Sequence, residues 1–197
     1  NFAIPVEYLK AQLPILAAGG LREYGWIGAY GKDAPVDQFS ETPRGLLVQY
    51  LMPGGSGQRA GLKKGDVITA VNGISITGID DYHNILKTML AETVVQLSVY
   101  SPDSLNGEDA GTERLLPVYL EKRPKQPGYE IYQRDLISNA FLPIFGMELK
   151  SATDKNKKSY TVVSVLPGEI ADESGFSVHD PVEIVKVEVP KTKDALY

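Results

Sequence analysis

Three chemistries could use the run Gly54-Gly55-Ser56-Gly57, which lies within LMPGGSGQRAGLKKGDVITAVNG, Leu51 to Gly73. It could present a serine nucleophile, cradle a phosphate, or turn the chain into a helix. A phosphate loop of the form G-x-x-x-x-G-K-[ST] converges backbone amides, a lysine and a hydroxyl on the phosphates. Here Leu62 follows Gly61, and Asp66 follows Gly65, a carboxylate where the anion should sit. A nucleophilic serine needs a base within reach, and the chain offers only His83 and His179. Those isolated histidines form no metal-ligand cluster, and the absence of cysteine removes thiolate sites, disulfides and a cysteine nucleophile. No catalytic residue, metal or cofactor is expected from these residues. The turn reading uses every position: Pro53-Gly54 leaves a strand, Ser56 caps a short helix, Ala60 packs, and Gly61 ends the helix in the left-handed conformation.

The chain that must position these residues is 197 residues long, enough for one large domain or two of about 100 residues. With 43% hydrophobic and 23% charged residues it falls among globular rather than disordered chains. A net charge of -5 and the lack of a long Lys/Arg run exclude the electrostatic footprint of a nucleic-acid or anionic-membrane binder. No apolar run approaches the roughly 18 residues of a membrane span. The opening NFAIPVEYLK lacks the basic and apolar regions of a signal peptide, so any targeting segment is expected outside this sequence.

Apolar Val6, Tyr8, Leu9, Leu13 and Leu16 make a helical stripe that closes on Gly19-Gly20, a connector helix interrupted by Pro14. YGWIGAYG and GLLVQYL read as strands, and DVITAVNGISI as a hairpin around Asn72-Gly73, because a type I′ turn needs positive φ twice. DDYHNILKTMLA carries Tyr82, Ile85, Leu86, Met89 and Leu90 at helical spacing, with Asp80 or Asp81 capping its first turn. VVQLSVYS and RLLPVYLEK then form an antiparallel pair joined by the polar PDSLNGEDAGT. EKRPKQPGYEIYQRD has linker chemistry, which puts a boundary near Pro124 to Gly128. Beyond it, YTVVSVLPGEIADESGFSVHDPVEI aligns without gaps on LLVQYLMPGGSGQRAGLKKGDVITA, Tyr160 over Leu46. Pro167 matches Pro53, Gly175 matches Gly61, Asp180 matches Asp66, and Ile170 falls opposite Ser56, which argues against a nucleophile.

GLLVQYLMPGGSGQRAGLKKGDVITAVNGISI resembles the middle of a bacterial PDZ domain: strand, Pro-Gly, short helix, A-G-L-x-x-G-D-[VI]-I, then V-N-G. NFAIP, a connector helix and GWIG together resemble the junction between the trypsin-like domain and the first PDZ domain of Do-like (HtrA-type) serine proteases. The fold this implies is α+β, with two PDZ-like domains, each a small, partly open antiparallel barrel or sandwich capped by helices. Residues 1–20 would hold the end of a protease-domain strand and the connector helix, 21–123 the first PDZ domain, 124–134 a linker and 135–197 a truncated second PDZ domain. Its main helix would begin in KTKDALY, where the sequence ends.

The resemblance also implies a site. PDZ domains add an extended peptide to an open sheet edge and hold its terminal carboxylate on backbone amides of a short loop. Trp26-Ile27-Gly28-Ala29 matches that loop, Ala29-Tyr30-Gly31 the pairing strand, and Ile27 and Ala29 the lining of the last side-chain pocket. The helix from about Asp81 to Leu90 would form the facing wall, with His83, Leu86, Lys87 and Leu90 as candidates. Ile144-Phe145-Gly146-Met147 is the corresponding loop of the second module. Related junctions often carry arginine just before the glycine that precedes the loop, here Gly25, whereas Tyr24 stands there and the nearest arginine is Arg22. His179-Asp180-Pro181 replaces Gly65-Asp66-Val67 in the copy, and proline there predicts an edge or bulged strand.

By this resemblance the triad precedes the present sequence, so the chain itself contributes no catalysis. The expected function is recognition of C-terminal or exposed apolar segments of proteins and regulation of an attached, extracytoplasmic endopeptidase. Expected partners are those segments, the protease domain and further copies in a homo-oligomer. The alternative is a PDZ scaffold or chaperone with an inactive protease-like domain upstream.

Overall fold

The computed structural model describes residues 6–17, 19, 23–35, 44–102, 111–152 and 159–187. NFAIP, Gly20, Arg22, most of PDSLNGEDAGT and the terminal KTKDALY lie outside the described residues. The chain divides into two compact units, Asn1–Arg123 and Pro124–Tyr197. No helix among the described residues is long and apolar enough to cross a membrane.

The first unit opens with helix α1 (Val6–Ala17), which runs through Pro14 without interruption and stops where the Gly19 amide, at φ +68°, donates to the Leu16 carbonyl. Val6, Leu13 and Leu16 of its apolar stripe are exposed. Then come β1 (Gly25–Trp26), β2 (Ala29–Asp33), β3 (Leu46–Leu51), α2 (Ser56–Arg59), β4 (Val67–Val71), β5 (Ile74–Ser75), α3 (Ile79–Leu86), β6 (Val94–Ser101), β7 (Thr112–Tyr119) and β8 (Glu121–Lys122). The main sheet has the order β2-β3-β4-β6-β7, with β5 on β4, and every pairing is antiparallel. β2 and β7 are its ends, so it is not closed into a barrel. β1 pairs separately with β8, Gly25 opposite Lys122 and Trp26 opposite Glu121. Alternation explains the core: Leu46, Val48, Leu97 and Val99 point inward at alternate positions and join Ile27, Ile68 and Leu120 in one cluster. Asn72 and Gly73, at φ 50° and 77°, make the predicted two-residue turn between β4 and β5.

Two local expectations are corrected here. Ser56 does not cap α2: Gly55 is the N-cap residue, and Ser56, 3% exposed, sits in the first turn with its hydroxyl 3.5 Å from the Trp26 carbonyl. α3 ends at Leu86 rather than Leu90, tightening to i→i+3 bonds from Thr88 to Ile85 and from Met89 to Leu86. Its start is served from a distance, because the Asp33 carboxylate at the end of β2 accepts the Ile79 amide at 2.7 Å. Asp81 reaches back to the Thr77 amide and hydroxyl, and these bonds hold its carboxyl below the ordinary range.

The second unit contains α4 (Pro127–Arg134), α5 (Ile137–Phe145), β9 (Met147–Ser151), β10 (Ser159–Val165), α6 (Ile170–Glu173) and β11 (Pro181–Glu183). Residues whose composition suggests a linker therefore form α4, with Pro127 in its first turn and Ile131 buried. The strand order is β11-β10-β9, and Pro181 stands on the end strand as its missing donor requires. Met147, Leu149, Tyr160, Val162 and Ala171 form the core.

The internal repeat reappears bond by bond. Val48 N–H donates to Asp66 O at 2.8 Å as Val162 N–H donates to Asp180 O at 2.9 Å. Leu62 N–H reaches Gly57 O at 3.0 Å as Phe176 N–H reaches Ala171 O at 3.0 Å. Met52 N–H reaches Gly28 O at 2.8 Å as Leu166 N–H reaches Gly146 O at 2.7 Å. His179 adopts φ +79° where Gly65 has φ +95°, so the copy carries a side chain in a region that favours glycine.

Candidate functional site

The loop between β1 and β2 is held by its carbonyls. Met52 N–H donates to Gly28 O at 2.8 Å, Gly57 N–H to Ile27 O at 2.9 Å, and the Ser56 hydroxyl lies 3.5 Å from Trp26 O. In a trans peptide unit the C=O of one residue and the N–H of the next point in opposite directions. The amides of Ile27, Gly28 and Ala29 are therefore turned away from α2. Among the described residues nothing accepts the amides of Ile27 and Gly28. Ala29 pairs with Leu51, and the flanking Met52-to-Gly28 bond makes this a non-hydrogen-bonded pair, so its own N–H and C=O face the free edge of β2. Gly28, at φ +71°, gives the turn that aims successive amides at one point. Outward amides of this kind can hold an anion, and they continue into a free strand edge of the sort that can accept an extended chain.

This geometry shows what the Gly54–Gly57 run does. A Cβ on Gly57 would lie 2.9 Å from the Ile27 carbonyl oxygen, so the close approach of α2 to the loop requires glycine. Arg59 fixes α2 from the other side, donating to the Gly54 carbonyl and pairing with Glu121 at 2.6 Å, the residue opposite Trp26 in the β1–β8 pair. Local sequence carried no signal for Met52 or for the pairing of Arg59 with Glu121, since both are contacts distant in the chain.

The two walls are β2 and α3. Ile27, Ala29 and Leu86 are 1%, 7% and 7% exposed and share the main core, so around the loop they offer packed support rather than open apolar surface. His83 and Lys87 are exposed, one turn apart at the end of α3. Leu90 is not on the helix: it forms a bridge with Tyr24 and lies beside β1. Tyr30 packs on Tyr50 with ring centroids 5.9 Å apart, and its hydroxyl is buried without a hydrogen-bond partner among the described residues. Burial pushes the Tyr30 phenol up to about 12, with the Trp26 side chain and Arg123 pulling in the other direction. The His83 imidazole is lowered below its ordinary value by partial desolvation first, then by the charges of Lys87 and Arg123, with Asp80 opposing.

In the second unit the expected loop is built differently. Ile144 and Phe145 close helix α5, and Gly146, at φ +74°, is its left-handed C-cap. The Gly146 amide donates to Leu142 O at 3.0 Å and is consumed. A Cβ on Gly146 would lie 2.3 Å from that of Glu169, which occupies the place of Gly55 in the first module. Met147 is buried as the first residue of β9. The loop residues thus keep their place before an edge strand but do not reproduce the three free amides.

A family model described as PDZ domain matches residues 47–97, and one described as TP0546 family PDZ domain matches residues 128–197. A probable periplasmic serine endoprotease DegP-like from Rhizobium meliloti is 36% identical over 98% of this chain and 38% of its own length. A protein of the same name from Chlamydia pneumoniae is 30% identical over 90% of this chain and 35% of its own. A putative serine protease HhoA from a Synechocystis species is 38% identical over 39% of this chain and 23% of its own. The chain spans well under half the length of each of these relatives.

Proposed function

We propose that this chain, which carries two PDZ domains similar to those of DegP-like (HtrA-type) serine endoproteases, is a peptide-binding region whose first module captures protein C-termini. The observation that carries this reading is the set of outward amides at Ile27, Gly28 and Ala29, locked by Met52 and Gly57 on the carbonyls behind them. The terminal carboxylate accepts from the loop, and the residues before it pair with the outward-facing main chain of the β2 edge, beginning at Ala29. The second module offers a strand edge without a terminal-carboxylate site. In the longer protein this binding regulates an attached endopeptidase, working outside the cytoplasm as the periplasmic names of its relatives suggest, in an assembly of several copies.

Trp26, the sole tryptophan, stands at the start of the loop and provides the assay. Short apolar peptides with a free C-terminus should change its fluorescence saturably, and the same peptides as C-terminal amides should bind at least about tenfold more weakly, the cost of leaving a charge-assisted site unfilled. Equal affinity for acids and amides would overturn terminal capture.

A further inference from the structure

We propose that the first module's groove selects peptides carrying an acidic side chain close to their free C-terminus, and that Arg123 and Lys87 read it. This rests on the terminal-capture reading above and names its ligand class.

The placement follows from strand pairing. Tyr24 bridges Leu90 on one side, and on the other its carbonyl accepts the Arg123 amide at 2.9 Å, continuing the register of Gly25 with Lys122 and Trp26 with Glu121. Residues opposite one another in an antiparallel pair project to the same face, and neighbours along a strand project to opposite faces. Arg123, Tyr24, Leu90 and Trp26 therefore share a face, and Lys122 points to the other.

Several of the other charges nearby are already engaged. Lys122 pairs with Glu23 at 2.7 Å and Glu92 at 3.6 Å, and Glu121 pairs with Arg59 at 2.6 Å. Asp81 is held by Thr77, leaving Asp80 as the acid whose charge opposes the cations at His83. Arg123 and Lys87, by contrast, have no ion pair or side-chain hydrogen bond among the described residues. Arg123 nevertheless acts electrostatically on both walls, on Tyr30 of β2 and His83 of α3, and Lys87 acts on His83. Two cations without an ion pair among the described residues thus act on the walls, β2 and α3, that flank a set of amides which a single terminal carboxylate would satisfy. A second carboxylate, from Asp or Glu within the last few ligand residues, completes the complementarity. The planar guanidinium suits it by offering paired donors.

The test uses the full chain and matched eight-residue peptides that differ only by Glu or Gln at the second, third or fourth position from the end, each as free acid and amide, followed by Trp26 fluorescence. The Glu peptide at one position should bind about fivefold more tightly at low salt, the scale of a single partly exposed ion pair. The advantage should shrink in high salt. R123Q should bring the Glu-to-Gln ratio toward one, R123K should keep part of it, and K87Q should reduce it, with circular dichroism confirming each fold. A ratio near one in the unmodified chain, or a preference unchanged in both R123Q and K87Q, would overturn the proposal while acid-over-amide discrimination persists. Loss of that discrimination would instead overturn the capture reading beneath it.

Discussion

Gly57 fixes how the loop between β1 and β2 sits, because its missing side chain lets α2 approach the Ile27 carbonyl. In Gly57→Ala the new Cβ, 2.9 Å from that oxygen, must push the loop away. The expected cost is about 1–2 kcal/mol of stability, with at least tenfold weaker binding of free-acid peptides, read by urea unfolding and Trp26 titration. Unchanged binding would mean that the α2 contact does not position the amides. Legibility at this scale followed backbone chemistry. The positive φ of Asn72, Gly73 and Gly61 could be read directly, because their local turns demand it. Ser56 was misread because capping preference is a local rule, whereas its hydroxyl faces a carbonyl thirty residues earlier in the chain. Arg123 left no sequence signal at all, since only the return of β8 against β1 brings it beside Tyr24.

At the scale of elements, α3 depends on a strand for its first turn. Asp33 at the end of β2 accepts the Ile79 amide, and Gly78 permits this because a Cβ there would meet the same carboxylate at 2.3 Å. Asp33→Ala should cost about 1 kcal/mol and weaken peptide binding by loosening one wall against the other. Asp80→Ala, which removes no bond to the helix start, should leave stability within about 0.5 kcal/mol. Equal losses in the two variants, measured by thermal unfolding, would contradict this assignment. The existence of α3 was plain from its apolar spacing, but its end was not. Met89 continues the pattern because it packs partly buried against the core from the turn after Leu86, whereas Leu90, half-exposed, belongs to the bridge with Tyr24. In the second unit, charge and proline concealed α4, although Pro127 is suited to a first turn and Ile131 supplies the buried contact that holds it.

At the scale of the whole molecule, the repeat carries one framework and two different interiors. Asp66, 3% exposed, accepts from the Lys63 amide, Ser101 and Arg114, the last at 2.6 Å. Its counterpart Asp180 accepts the Ser177 amide at 2.8 Å and is half-exposed. Arg114→Met should destabilise the first unit by about 2–3 kcal/mol, because it leaves the buried Asp66 without its cationic partner, whereas Asp180→Asn should cost the second only about 1 kcal/mol. Unfolding followed by Trp26 isolates the first unit, and a smaller effect there would contradict the buried-pair argument. The gapless alignment made this duplication legible, but not its divergence at the loop, where α5 runs straight into Gly146 and takes up its amide. The most direct test of the central claim is therefore a nitrogen-15 amide spectrum of the intact chain titrated with a free-acid peptide. Terminal capture predicts downfield movement of the Ile27, Gly28 and Ala29 amides together, absent with the peptide amide, while Gly146 stays fixed. Binding that leaves those three unmoved, or that moves Gly146 equally, would contradict it.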